Sequence, residues 1–322
     1  MRAIVVYRLG DPSVLTLRSH PTPQPGPGEV LVRLQAIGVN FADTERRRGA
    51  YDPPALPWIP GIEGAGVVEA LGPDVAPVWL GRRVAFWAPN TSGTYAEYAV
   101  TPANSLFSLL DHLDFNVAAA LPVQGLTAYG LAHYATSLHQ GQTALVHAAA
   151  GGVGTLLVQL LRHRGVRVFG TASTTAKQNL VRELGAIPLP YGDDLPERIR
   201  AATGDRGVDA VFDSVGRATQ AQSLAVLALY GHLVYFGNAG GSPAPIHADE
   251  LYPRNLRISS FWLAADRPER WDIARRELQE SVATGQLRVT VGLSLPLADA
   301  AEAHRRLEQR RTQGKLILLP AA

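Results

Sequence analysis

The apolar positions change rhythm once along the chain. Over the first 120 residues they come in short runs rich in β-branched residues and broken by Pro and Gly, which predicts a mostly β region. Residues 1–7 read as a strand. Residues 21–28 form a rigid connector into a second strand at 29–34, and 64–72 and 81–86 read as further strands with glycine boundaries. From about residue 121 strands alternate with helices. Residues 142–146 predict a buried parallel strand, and a small-residue turn follows. Then Val153, Leu156, Leu157, Leu160 and Leu161 fall at i, i+3, i+4, i+7 and i+8, one apolar helical stripe. Arg162 and Arg164 suit the end of that helix, and Gly165 suits the position after it. A second strand at 166–169 completes a βαβ unit. Strands are also predicted at 208–212, 232–236 and 256–261, the first two running into the small or polar segments 213–216 and 237–240. After about residue 264 the pattern is helical, then β, and a last strand at 315–319 is expected to rejoin the first region. The fold class expected is α/β: a doubly wound parallel sheet plus a mostly β domain.

The turn between the first strand and the striped helix carries candidate chemistry. Gly151, Gly152, Val153 and Gly154 would let a pyrophosphate approach backbone N–H groups at the helix N-terminus. A glycine-rich string alone is a weak signal; strand, turn, striped helix and strand in order make a dinucleotide site specific. An NAD site usually carries an acid about 20 residues past the first glycine, bonded to the ribose 2′-hydroxyl. Here no Asp or Glu occurs between Ala148 and Arg182, and the second strand runs into Thr171, Ser173, Thr174, Thr175 and Lys177. Hydroxyls and a cation suit a 2′-phosphate, which points to NADPH. Of 30 basic residues only Lys177 and Lys315 are lysines, so the compact charge at Lys177 stands out.

Composition narrows the remaining classes. With 322 residues, 46% hydrophobic and 18% charged, the chain is an ordinary globular protein long enough for two domains. The absence of cysteine excludes disulfides, thiolate nucleophiles and Cys-based metal sites. No run approaches 18 apolar residues, so no membrane span is expected. Residues 1–7 do not resemble a signal peptide, and a cytoplasmic location is expected. The net charge is +2. The runs Arg46-Arg47-Arg48 and Arg305-Arg306 have Glu45 and Glu302 nearby and read as solvated helix faces, so no nucleic-acid partner is expected. G-x-S-x-G and H-E-x-x-H are absent, which leaves hydrolase readings without support.

With these pieces placed, the chain resembles the zinc-independent quinone oxidoreductases of the medium-chain dehydrogenase/reductase superfamily, essentially end to end. The marks are residues 38–44 (GVNFADT), 60–66 (PGIEGAG), 125–129 (GLTAY), the 148–154 turn, 213–216 (DSVG) and 236–238 (FGN). Zinc-dependent relatives place a Cys near the position of Asn40 and a His where this chain has Ile62, and they carry a four-Cys lobe that is missing here. The resemblance implies a GroES-like catalytic domain at 1–120, a Rossmann NADP-binding domain at 121–264, and a return segment at 265–322 that completes the catalytic domain. It implies that Asn40 and Thr127 approach the nicotinamide end of the cofactor. Gly151, Gly152, Val153 and Gly154 would cradle the pyrophosphate, and Ser173, Lys177 and Tyr191 would surround the 2′-phosphate. Ser214, Phe236, Gly237 and Asn238 would line the cleft along the strand ends, with Arg310 near the cofactor and Tyr51 over the substrate. Asp43 and Glu63 are the candidate carboxylates, more suited to orienting groups than to moving protons. His147, beside the phosphate turn, reads as packed. The implied activity is NADPH-dependent reduction of quinones without zinc, by a homodimer acting on a small-molecule quinone or conjugated carbonyl. Two alternatives stay open: reduction of the C=C bond of enals or enones, and a non-catalytic NADPH- or nucleic-acid-binding role.

Overall fold

The alternating segments build a six-stranded parallel sheet. Its spatial order is Ile187–Leu189, Arg167–Thr171, Thr143–Val146, Val208–Asp213, Leu227–Tyr235 and Arg257–Ser260. In chain order this is 3-2-1-4-5-6, so the winding reverses between Thr143–Val146 and Val208–Asp213. A doubly wound sheet opens a ligand crevice at that point, outside the carboxyl ends of its strands. The computed structural model describes residues 1–50, 54–88 and 92–320. The chain divides into two compact units, Gln124–Ala274 holding this sheet and Met1–Val123 with Arg275–Ala322 holding the other. In the parallel sheet Leu145 lies opposite Phe169 on one side and Val211 on the other, all three fully buried. Such strands read as continuous apolar runs because helices cover both faces.

The striped helix spans Gly152–His163 and is more deeply buried than its stripe predicts. Every residue from Gly154 to Leu161 is buried, because the short helix Leu126–Gly130 packs on a face the pattern leaves to solvent. Gln159 tolerates this by donating to the Thr155 carbonyl at 2.7 Å. Gly165 follows the helix at φ 74° and donates to the Arg162 carbonyl at 2.8 Å. The strand ending at Tyr235 starts five residues before the predicted position. Val208 pairs with Leu227 but Ala210 with His232, so residues 228–231 bulge out, Tyr230 at φ 61°. Leu229 and Tyr230 are exposed, which removes the alternation that would mark a strand. The edge strand Ile187–Leu189 has three residues, one a proline, and gives no periodic signal.

The other unit is a seven-stranded mixed sheet. Its main path runs Val291–Pro296, Lys315–Leu319, Glu29–Val39, Glu63–Leu71, Arg83–Trp87 and Leu106–Ser108, and Tyr98–Pro102 also pairs with Glu29–Val39. Leu316 lies opposite Val39, and Ile37 lies opposite Gly64. This register sets Asn40, Glu63 and Lys315 at one end of three adjacent strands. Ile37, Val39, Phe86, Leu316 and Leu318 share the core beneath them. Helix Phe41–Arg48 follows Asn40. Its arginines do not form a uniformly solvated face, which corrects the sequence reading: Arg48 is exposed, but Arg47 is fully buried and paired with Glu308 of helix Ala300–Glu308. Arg305 and Arg306 do pair locally, with Glu302 at 3.0 and 2.7 Å. Among the described residues no helix is long and apolar enough to cross a membrane.

A Cβ placed on Gly154 would lie 2.7 Å from Ala149 Cα and 2.9 Å from Ala149 C, backbone atoms that have no freedom to swing aside. We expect Gly154→Ala to lower stability by about 1–3 kcal/mol through overpacking. The urea unfolding midpoint reads this directly, and an unchanged midpoint would mean that the turn has slack.

Candidate active site

Three buried polar side chains meet where the strands of the mixed sheet end. Asn40 Nδ2 donates to Glu63 Oε1 at 2.7 Å, and Lys315 Nζ donates to Asn40 Oδ1 at 3.0 Å. Lys315 also forms an ion pair with Glu63, both side chains closed to solvent. The second Glu63 oxygen accepts from the Val123 N–H at 2.8 Å. Glu63 lies across Gly38 of the neighbouring strand, where a Cβ would sit 2.7 Å from its Cγ and Cδ. Only glycine leaves room for this carboxylate, which gives the first residue of the GVNFADT segment a steric cause. With both side-chain ends engaged, Asn40 has its amide plane fixed.

Asn40 is also the N-cap of its helix. Asp43, at the third helical position, accepts from the Asn40 backbone N–H at 2.9 Å, the reciprocal contact of a capping box. The same Oδ2 accepts from Tyr95 OH at 3.2 Å, and Tyr95 OH lies 3.0 Å from His304 Nε2. All three side chains are buried. Burial pushes the Asp43 carboxyl up to about 6, only partly offset by the Asn40 N–H and Lys315. Burial, then Arg47 and Arg48, hold the His304 imidazole down to about 3, so it is neutral. Burial and the neighbouring Asp43 push the Tyr95 phenol well above its usual range.

In the parallel-sheet unit, the turn from Ala148 leads into Gly151, the N-cap of helix Gly152–His163. The first-turn N–H groups of a helix have no intrahelical acceptor, and the Gln124 side-chain amide packs against Gly152 where a Cβ would lie. The donor set and the close backbone suit a pyrophosphate. Ala148 takes φ 51°, and its N–H donates to Thr171 Oγ1 at 3.2 Å and to Tyr191 OH at 2.9 Å. Tyr191 is thereby tied to the turn from beyond the edge strand. Ser173 is exposed just before helix Thr175–Glu183, whose N-cap Thr174 accepts from the Lys177 N–H at 3.3 Å. His147 is fully buried and bonded at both ring nitrogens, to Thr171 Oγ1 at 3.1 Å and Ser223 Oγ at 3.0 Å. Burial lowers its pKa. It is packed, as the sequence suggested. Asp213, ending its strand, receives the Val215 and Gly216 N–H groups and the Thr219 and Ser223 hydroxyls, all within 2.9 Å. This fixes the loop that presents Ser214. A Cβ on Gly237 would lie 3.0 Å from the Ser214 carbonyl oxygen, so these two strand ends touch. Phe236 N–H bonds the Asp213 carbonyl at 2.9 Å, and Asn238 lies beside Gly216. Thr127 is buried in helix Leu126–Gly130.

Not every expected residue gathers in these two places. Tyr51 lies outside the described residues. Arg310 is exposed just past the helix Ala300–Glu308, at φ 58°. Lys315 is the residue that the sequence reading passed over; its signal was present, as the other of only two lysines in an arginine-rich chain. Among the described residues no three His, Cys, Asp or Glu side chains converge as a metal would need.

Comparison with known proteins shows what the chain is similar to. Residues 26–111 match the alcohol dehydrogenase GroES-like domain, and residues 152–280 match the zinc-binding dehydrogenase family. The chain is 39% identical to a quinone oxidoreductase of Pseudomonas aeruginosa over 97% of each chain. It is 36% identical to a 2-haloacrylate reductase of a Burkholderia species, over 99% of each chain. Among solved structures, Escherichia coli quinone oxidoreductase complexed with NADPH superposes with a TM-score of 0.94 at 34% identity, covering 99% of this chain and all of that one.

Removing the Lys315 ammonium strands a buried carboxylate. We expect Lys315→Met to cost about 3–5 kcal/mol of unfolding free energy, and pairing it with Glu63→Gln to recover a large part. Chemical denaturation of the two variants checks this. Equal losses in the single and double variants would show that Glu63 does not depend on the ammonium.

Proposed function

The chain belongs to the quinone oxidoreductase branch of the medium-chain dehydrogenase/reductase superfamily, and from that premise we propose that it reduces quinones with NADPH and without zinc. It is an oxidoreductase, and NADPH is its cofactor. The observation that carries the quinone reading is the end-to-end likeness to quinone oxidoreductases, joined to Ile62 where the zinc-dependent branch carries a His and to the lack of any cysteine near Asn40. A quinone is already electron-poor and needs no Lewis acid to accept a hydride.

NADPH, when bound, supplies the hydride from nicotinamide C4. The chain's own residues bind, orient and exclude water. Gly151, Gly152, Val153 and Gly154 hold the pyrophosphate on helix N–H groups; Ser173, Lys177 and Tyr191 hold the 2′-phosphate. Ser214, Phe236, Gly237 and Asn238 face the cofactor from the adjoining strand ends, and Thr127 and Asn40 serve its nicotinamide end. Arg310 and Tyr51 complete the set implied by the resemblance. Glu63 and Lys315 keep Asn40 in one orientation, so the acceptor meets a fixed amide rather than a mobile one. The homodimer and the cytoplasmic location belong to the same proposal.

A second acceptor class has its own support. The Burkholderia relative is named a 2-haloacrylate reductase, and a haloacrylate is reduced at a conjugated C=C bond. Enones therefore stand as the alternative acceptors.

Two experiments test the reading. Turnover of NADPH with 1,4-benzoquinone should survive exhaustive chelation and exceed turnover with an enone; faster enone reduction would move the assignment to C=C bonds, and loss of activity on chelation would restore a metal. Lys177→Ala should weaken NADPH by about 1–3 kcal/mol while leaving NADH nearly unchanged, as read by calorimetric titration. Equal losses for the two nucleotides would refute the 2′-phosphate assignment.

A further inference from the structure

Two helices of the mixed-sheet unit carry polar side chains that face one another at matched spacing. Asp43 and Arg47 lie four residues apart on helix Phe41–Arg48, and His304 and Glu308 lie four apart on helix Ala300–Glu308. Arg47 pairs with Glu308, and Tyr95 bridges Asp43 and His304. Asp43 Oδ1, His304 Nδ1, Arg47 Nε and Nη1 and Thr94 Oγ1 are buried with no hydrogen-bond partner among the described residues. Buried polar groups rarely stay unpaired, and a set like this is where ordered water enters a protein. Glu308, paired with both Arg47 and the exposed Arg48, brings the set to the surface.

Reduction of a quinone by hydride leaves a hydroquinone anion, which takes up one proton. Resting on the reading above, we propose that His304, Tyr95 and Asp43 form a buried relay that brings this proton from solvent to Asp43, directly behind Asn40. Tyr95 has a single O–H hydrogen and two acceptors within reach, so the chain has two states. In the first, His304 Nε2–H donates to the Tyr95 oxygen, and Tyr95 O–H donates to ionised Asp43. A proton arriving from water at His304 Nδ1 drives the exchange. The Nε2–H bond breaks and its hydrogen joins the Tyr95 oxygen; the former Tyr95 hydrogen joins Asp43. The second state has Nδ1–H on His304 and a neutral Asp43 donating to Tyr95. One proton has entered and one has appeared on Asp43, and nothing is oxidised or reduced. Asp43 then yields its proton, through water at its unpartnered Oδ1, to the hydroquinone anion, which becomes the hydroquinone as Asp43 returns to carboxylate; tautomer exchange of the neutral ring resets the chain.

The surroundings fit these assignments. Lys315 and Glu63 are the charged groups acting on Asp43, and Arg47 and Arg48 those acting on His304. The two arginines disfavour imidazolium, so His304 passes a proton on rather than storing it. Tyr95 stays neutral. Of the three, Asp43 alone changes charge near neutrality, taking a proton as pH falls through about 6.

The test reads the imidazole tautomer by ¹⁵N NMR in the intact protein, with no substrate present. His304 should remain neutral but switch from Nε2–H to Nδ1–H as Asp43 gains its proton. Tyr95→Phe, which keeps the ring and removes the hydroxyl, should abolish the switch, and Asp43→Asn should freeze it. A tautomer indifferent to pH in the parent protein, or one that still switches in Tyr95→Phe, overturns the relay. With quinone and NADPH, Tyr95→Phe should lower kcat about tenfold or more, change the pH profile, leave NADPH binding unaltered, and be partly rescued by added imidazole. An unchanged kcat, or a loss without change of pH profile or rescue, overturns the catalytic part. If the parent protein reduces no quinone, the functional reading falls, while the NMR result still decides the relay.

Discussion

A carboxylate and an ammonium shut away from water stand at the end of three neighbouring strands, and much of the site follows from keeping them there. Removing either charge from solvent costs several kcal/mol, so Glu63 and Lys315 are tolerable only with each other and with the Asn40 amide and the Val123 N–H filling the remaining valences. That requirement reaches back into the backbone. Gly38 must be glycine because the carboxylate crosses it, and Lys315–Leu319 must hold its register against Glu29–Val39, since a one-residue slip would turn Lys315 to the other face. Positions 38, 40, 63 and 315 form one constraint distributed over the whole length of the chain.

Two other buried carboxylates show how surroundings divide a single residue type between roles. Asp213 is saturated by two N–H groups and two hydroxyls, and it can do little beyond fixing the loop that follows its strand. Asp43 receives two donors on one oxygen and none on the other. The undersupplied group keeps an accessible neutral form; the saturated one is a structural fixture.

The parallel-sheet unit was legible because its strands are apolar runs and its first helix repeats at the helical period. What the pattern could not show was non-local. Gln159 sits in the helix of residues 152–163 as though facing solvent, and only the packing of Leu126–Gly130 buries it. The bulge at residues 228–231 exposes Leu229 and Tyr230 and so masks the start of a strand. In the mixed-sheet unit, Arg46, Arg47 and Arg48 look alike in sequence, yet a glutamate 261 positions on takes Arg47 into the interior. Asn40 and Asp43 were readable through the GVNFADT segment. Tyr95 and His304 were not, because their partners lie far along the chain and no local period marks them; Lys315 carried only the compositional signal of a rare lysine.

The same long separations bear on how the protein comes into being. Glu63 and Lys315 are 252 residues apart, and at ~5–20 residues per second about 13–50 s pass on the ribosome between them. Throughout that interval the nascent sheet has a carboxylate without its ammonium and Glu29–Val39 without the strand that flanks it. The unit Gln124–Ala274 is complete before Lys315 emerges, whereas the unit that holds Glu29–Val39 must wait for it. Glu29–Val39 is therefore made before that unit and completed after it, and the partly built sheet must be sheltered from other unpaired strand edges until Lys315 arrives.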